Sequence, residues 1–112
     1  MKMLPWFYEG NITVPKNAQG NIDCDQGLIT DNVEVFYISP SEYDKLTDYG
    51  VITELNLIDG VFVDRFESDY IPFDKLSKCL SVFREHEDLK GSRFIEALKT
   101  GLNYGFGIYT DF

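Results

Sequence analysis

The segment VEVFYISPSEYDKLTDYG, Val33 to Gly50, constrains the fold of this chain more than any other. Its first half is β-branched and aromatic, with Val33, Val35 and Tyr37 alternating against Glu34, Phe36 and Ile38, which is the period of a strand. Its second half is a complete helix signature. Ser39 is placed to accept the amide proton of Glu42 while the Glu42 side chain reaches back, forming a capping box, and Pro40 takes the first helical position, where its missing N–H is harmless. Ile38 and Tyr43 are spaced as a hydrophobic staple across the cap, and Gly50 supplies a left-handed stop. A strand therefore runs directly into a short capped helix.

The segments VITELNLI and VFVDRF follow, joined by Asp59-Gly60. Val51, Thr53, Leu55 and Leu57 alternate with Glu54 and Asn56, and Asp-Gly suits the positive φ angles of a type I′ turn, so the spacing predicts an antiparallel hairpin. Beyond Pro72, the residues Phe73, Leu76, Leu80 and Phe83 recur at helical spacing, predicting a helix to about Asp88. Gly91-Ser92 opens another, with Ile95, Leu98 and Leu102 on one face and Gly105 ending it. The final FGIYTDF alternates as a strand. Residues 1 to 32, broken by Pro5, Gly10, Pro15, Gly20 and Gly27, predict an irregular or hairpin-like start with one or two short strands. The order implies an α+β fold, an antiparallel or mixed sheet with helices packed on one face, in a single domain over residues 1 to 112.

Composition permits such a core and limits what it can bind. The chain has 112 residues, 44% hydrophobic and 15% aromatic, which argues against disorder despite a formal net charge of −9. Residues 17 to 74 carry thirteen acids against two bases, whereas residues 75 to 99 carry six bases against four acids. Such an acidic pole repels phosphate backbones and anionic lipid and speeds encounter with a basic protein. It also serves simply to keep a domain soluble and monomeric. No run is long and apolar enough to span a membrane, and MKMLPWFYEG lacks the long apolar region of a signal peptide. Cys24 is expected in a loop and Cys79 in a helix, without metal or redox spacing, as free thiols of a reducing cytosol.

Few residues carry a recognisable chemistry. In GNIDCDQG, Asn21, Asp23 and Asp25 match the first three oxygen positions of a calcium loop. Gln26 then stands where the turn needs glycine, and Asn32 where a bidentate Glu should close the site. His86 has no Ser, Cys or second His placed by spacing, and the carboxylate pairs Asp23/Asp25, Glu67/Asp69 and Glu85/Glu87 do not differ from solvated charge. Gly101, Gly105 and Gly107 follow a helix and precede a strand, the reverse of a phosphate loop. Neither a catalytic residue nor a cofactor or metal site is expected. What remains is aromatics interleaved with acids: Trp6 to Glu9, Asp64 to Tyr70, and Tyr109 to Phe112. This is the composition of a surface for a basic protein, or equally of core rings with acids on the opposite strand face.

Size and charge, the segment FYISPSEYDKLTDYGVIT, and YIPFDKLSKCLSVF leading into FIEALKTGLNYGFGIYTDF together resemble the small acidic immunity proteins of bacterial polymorphic toxin systems, including those of contact-dependent growth inhibition. The resemblance spans roughly residues 33 to 112 and lies in layout, without an invariant motif. It implies a cytoplasmic, non-enzymatic protein that binds a cognate toxin domain, often a nuclease, and occludes its active site as a monomer in a 1:1 complex. No functional residue is carried over by position. From their chemistry, Asp23, Asp25, Asp64, Glu67 and Asp69 are expected to engage Lys or Arg of a basic toxin, with Tyr70 and Trp6 as aromatic anchors. A phage-encoded inhibitor or adaptor and a small acid-base enzyme are the alternatives.

Overall fold

The structure, a computed structural model, describes residues 10–112. Four strands form one antiparallel sheet in the order β2-β1-β4-β3. They are β1 (Gly10–Pro15), β2 (Val33–Ile38), β3 (Ser68–Ile71) and β4 (Ile108–Asp111). The first and last strands are neighbours at the centre, through Asn11 opposite Asp111 and Thr13 opposite Tyr109. The α+β class expected from the sequence is what the chain adopts. Helices α2 (Pro40–Asp48), α3 (Val51–Asn56), α4 (Leu76–Arg84) and α5 (Arg93–Tyr104) surround a core in which Ile12, Val14, Ile38, Leu46, Ile71, Leu76, Phe83, Phe94, Leu98 and Ile108 are almost wholly buried. Among the described residues no helix is long and apolar enough to cross a membrane.

Several local signals act as read. Ser39 Oγ accepts from the Glu42 amide at 3.1 Å, Pro40 opens α2, and Gly50 has φ 80°. Ser92 caps α5 and Gly105 ends it with φ 89°. The second half of the capping box does not form. The Glu42 carboxylate turns instead to α5, accepting from Ser92 Oγ at 2.6 Å and the Arg93 amide at 3.0 Å. A local cap has become a tertiary clasp between two helix N-termini, where a carboxylate is favourably placed.

Three expectations are corrected. The predicted hairpin is absent: Val51–Asn56 is helix α3, because Gly50 ends α2 and immediately starts the next helix. Val51, Ile52 and Leu55 are buried there, spaced for a helical face, while Leu57 points to solvent. β-Branched residues take a helix when packing favours one, since propensity differences are a fraction of a kcal/mol per residue. Asp59-Gly60 does turn, closed by the Val61 amide bonding Ile58 O at 3.0 Å. Only Gly60 has positive φ, so the type I′ geometry that would extend a hairpin is not formed. Second, α4 ends at Arg84 with 3₁₀ turns on either side, and Phe73 is exposed instead of joining the core stripe. Third, Ala18–Asp25 is helix α1, where an irregular segment was expected, so Cys24 is helical and buried.

Helix α1 lies over the face of the sheet opposite the other helices, where Tyr109 Oη donates to Asn21 Oδ1 at 3.0 Å. Its approach is close. A Cβ on Gly20 would sit 2.0 Å from Asn32 O, a backbone atom that cannot swing aside. Gly20→Ala is therefore expected to destabilise the fold by about 2–3 kcal/mol, measured as a lower urea midpoint; an unchanged midpoint would show that α1 is not seated this way.

Candidate functional site

The segment between α3 and β3 is irregular but firmly held. Val61 and Val63 are buried, and the Asn56 carboxamide, at the end of α3, binds both backbone polar groups of Val63. The Val63 amide donates to Asn56 Oδ1 at 2.7 Å, and Asn56 Nδ2 donates to Val63 O at 3.0 Å. Arg65 donates to Asp44 Oδ1 at 2.8 Å and lies over the Tyr43 ring, 4.9 Å from its centroid. The Phe112 amide donates to Glu67 O at 3.1 Å, closing the far end. With the valines inward, Phe62 and Phe66 must face outward, and Phe66 is 84% exposed. Phe66 is also the one non-glycine among the described residues with positive φ, at 66°. A bulky residue in that region costs about 1 kcal/mol, so the anchors on either side impose it.

Around Phe66 the carboxylates of Asp64, Glu67 and Asp69 converge, each offering an oxygen within 4.8 Å of the others. Among the described residues no Lys, Arg or His lies within ion-pair distance of any of the three, since Arg65 is directed to Asp44. Asp69 is the most confined. Its Oδ2 is buried and has no hydrogen-bond partner among the described residues. Loss of solvent, and secondarily the charge of Asp64, raise its pKa above the ordinary carboxylate value.

On the opposite face of the sheet, an open cleft of about 650 Å³ lies between the end of α1 and the β3–β4 pair, lined among others by Asp25, Leu28, Ile29, Tyr70, Tyr109 and Asp111. Tyr70 is partly exposed, its ring 4.7 Å from that of Tyr109 and packed over Gly107. Asp69 also lines this cleft, so the cluster and the cleft meet at the β3 edge. Neither the thiol nor the Tyr109 phenol of the cleft is activated: burial raises the pKa of Cys24, and Tyr109 is pushed up to about 12 by burial and its neighbour Tyr70. Cys79, in the core, is pushed up to about 11 by burial, so neither cysteine is an activated nucleophile.

Of the residues expected to contact a partner, Asp64, Glu67 and Asp69 are brought into one cluster, and Asp25 and Tyr70 line the adjoining cleft. Asp23 is corrected: it is 5% exposed and internally satisfied, accepting from Thr30 Oγ1 at 2.7 Å and Gln19 Nε2 at 2.8 Å. These bonds, that from Thr30 foremost, lower its pKa. Trp6 lies outside the described residues. Phe112 packs on Tyr43 and Phe94, and Thr110 is buried, so the C-terminal aromatic-acid stretch is largely core. His86 sits 3.0 Å from Glu54 Oε2, remote in role from either site. Sequence reasoning missed Asn56, whose side chain it assigned to a strand face, and Phe66, whose φ no sequence signal announces. Comparison with known proteins finds no matching family model, curated protein or solved structure.

The two aspartates have opposite energetic signs. A lowered folded pKa stabilises the fold wherever pH exceeds the unfolded value, near 3.8, and a raised one penalises it over the same range. At pH 7, Asp23→Asn is expected to lower the urea midpoint and Asp69→Asn to raise it. The Asp69 difference closes by about pH 3.8, whereas that of Asp23 is lost only below it. Equal effects of the two substitutions at pH 7 would contradict this assignment.

Proposed function

We propose that this chain is a cytoplasmic immunity-type protein that binds a basic toxin domain, a nuclease foremost, and neutralises it by occluding its active site. The observation that carries the reading is the carboxylate cluster Asp64, Glu67 and Asp69, without an ion-pair partner among the described residues and set beside the outward-held Phe66. A rigid aromatic flanked by unpaired acids is suited to a basic protein surface: the ring fills a pocket and the acids orient and accelerate encounter. Against a nuclease the same carboxylates occupy the field prepared for phosphates. The net charge of −9 works in the same direction over longer range. The role is binding, not catalysis, which accords with unactivated thiols and with the absence, among the described residues, of a nucleophile beside a base.

The test is co-expression with the polypeptide encoded immediately upstream, its C-terminal portion serving as candidate toxin. Growth rescue and a stable 1:1 complex are expected. In that complex, Asp64→Asn with Glu67→Gln should slow association about tenfold at low salt and flatten its salt dependence, while Phe66→Ala should act chiefly on dissociation. Toxicity without rescue would refute the reading, and unchanged kinetics in both variants would move the interface elsewhere. Rescue of a phage or defence target instead would assign the chain to the phage-encoded inhibitors.

A further inference from the structure

The charge cluster at β3 has a feature that a merely solvated group of acids lacks. Asp69 and Thr110 stand directly opposite each other in the β3–β4 register, so their side chains share a face and lie close together. This is the inward face, since Ile71 and Ile108, the next pair on the same side, are both fully buried. Thr110 is 1% exposed, and its Oγ1 has no hydrogen-bond partner among the described residues. Asp69 Oδ2, on the residue opposite in the register, is likewise buried and without a partner among the described residues. Buried polar oxygens without a hydrogen-bond partner are rare in folded proteins, where such groups are satisfied by the protein, by water or by an ion. Asp64 and Glu67, both exposed, each bring a carboxylate oxygen within 4.8 Å of one on Asp69, so the cluster is open to solvent.

We propose that Asp64, Glu67 and Asp69, backed by the Thr110 hydroxyl, form a binding site for a hard divalent cation, with calcium as the best fit. Calcium takes six to eight oxygens at about 2.3–2.6 Å in flexible geometry, so oxygens on one ion are separated by at most about twice that length. The three carboxylates here lie within 4.8 Å of one another, inside that limit. Donors are all oxygen, with neither Cys nor His in the cluster, which favours calcium over zinc or copper. Two of the ligands come from a loop and one from a strand edge, a mixed arrangement that tolerates the irregular shell of calcium better than the strict octahedron of magnesium. Water supplies the remaining ligands on the exposed side. The ion would join the loop to β3 through Asp64, Glu67 and Asp69 and relieve the mutual repulsion of the three charges. This inference does not rest on the toxin reading, although a cation and a partner's basic side chain would compete for the same oxygens.

Titration of the intact chain with CaCl₂ by calorimetry at fixed ionic strength tests it without any partner. One saturable site is expected, with Kd of order 10⁻⁴ M, weakened at least tenfold by Glu67→Gln or Asp64→Asn, both at exposed positions that the fold tolerates, and unchanged by Glu96→Gln on α5, which is not part of the cluster. In wild type, trace MnCl₂ should broaden the amide resonances of Asp69 and Thr110 first. Absence of saturation by about 10 mM CaCl₂, an equal response to MgCl₂, or insensitivity to Glu67→Gln would each overturn the site, the last two indicating diffuse counter-ions around an acidic protein.

Discussion

Two hydrogen bonds from one carboxamide organise the part of this molecule that faces outward. Asn56 ends α3 and grips both the N–H and the C=O of Val63, so an irregular strand-like segment is tied to a helix as firmly as a strand is tied to its neighbour. Once Val63 is held with its side chain inward, Val61 follows it into the core and Phe62 is turned out. Arg65, held between Asp44 and the Tyr43 ring, makes its ion pair with Asp44 and not with Asp64, Glu67 or Asp69. The strained backbone at Phe66 and the convergence of Asp64, Glu67 and Asp69 follow from those anchors and from the bond between Phe112 and Glu67. The surface is built on fixed elements, as binding surfaces need to be if their side chains are to be preorganised.

The sequence was legible where a signal is local and complete. The strand Val33–Ile38 and the helix that starts at Pro40 carry their period, cap and stop within eighteen residues, and these operate as read except that Glu42 turns from its own cap to α5. It was misleading at Val51–Asn56, where alternation at Val51, Thr53 and Leu55 fits a strand and where Val51, Ile52 and Leu55 fit a short helix equally well. The choice is made by burial that only the tertiary fold supplies: Val51, Ile52 and Leu55 go into the core together. Helix α1 was illegible for a related reason. AQGNIDCD has no apolar stripe, and after Ala18 and Gln19 its residues are weak helix formers such as Gly20, Asn21 and Asp23; it is held by contacts to residues distant in sequence, such as Asn21 with Tyr109.

The candidate site shows the same division. That acids between Asp64 and Asp69 sit among aromatics is evident from composition, but their convergence depends on a backbone reversal at Phe66 that no residue type encodes. Conversely, Asp23 looks like Asp25 in the sequence and differs entirely in the fold, one buried against Thr30 and Gln19 and the other exposed at the cleft. Charge is a property of composition; whether a given carboxylate holds the fold together or faces a partner is decided by what packs around it. Asp69 is the intermediate case, confined enough to be unfavourable in the isolated chain and near enough to the surface to be reached. Unfavourable ionisable groups of that kind concentrate at functional sites.

The central claim is that the Val61–Glu67 segment is a rigid platform held by Asn56, and amide hydrogen exchange at Val63 tests it most directly. The account predicts that the Val63 amide exchanges as slowly as those of β1, opening only with the whole fold, while the exposed Phe62 and Phe66 beside it are free to contact a partner. In Asn56→Ala the Val63 protection should collapse while that of β1 persists. Exchange of the wild-type Val63 amide at the rate of an open loop would contradict the account, because Phe66 and the three carboxylates would then have no fixed arrangement to present.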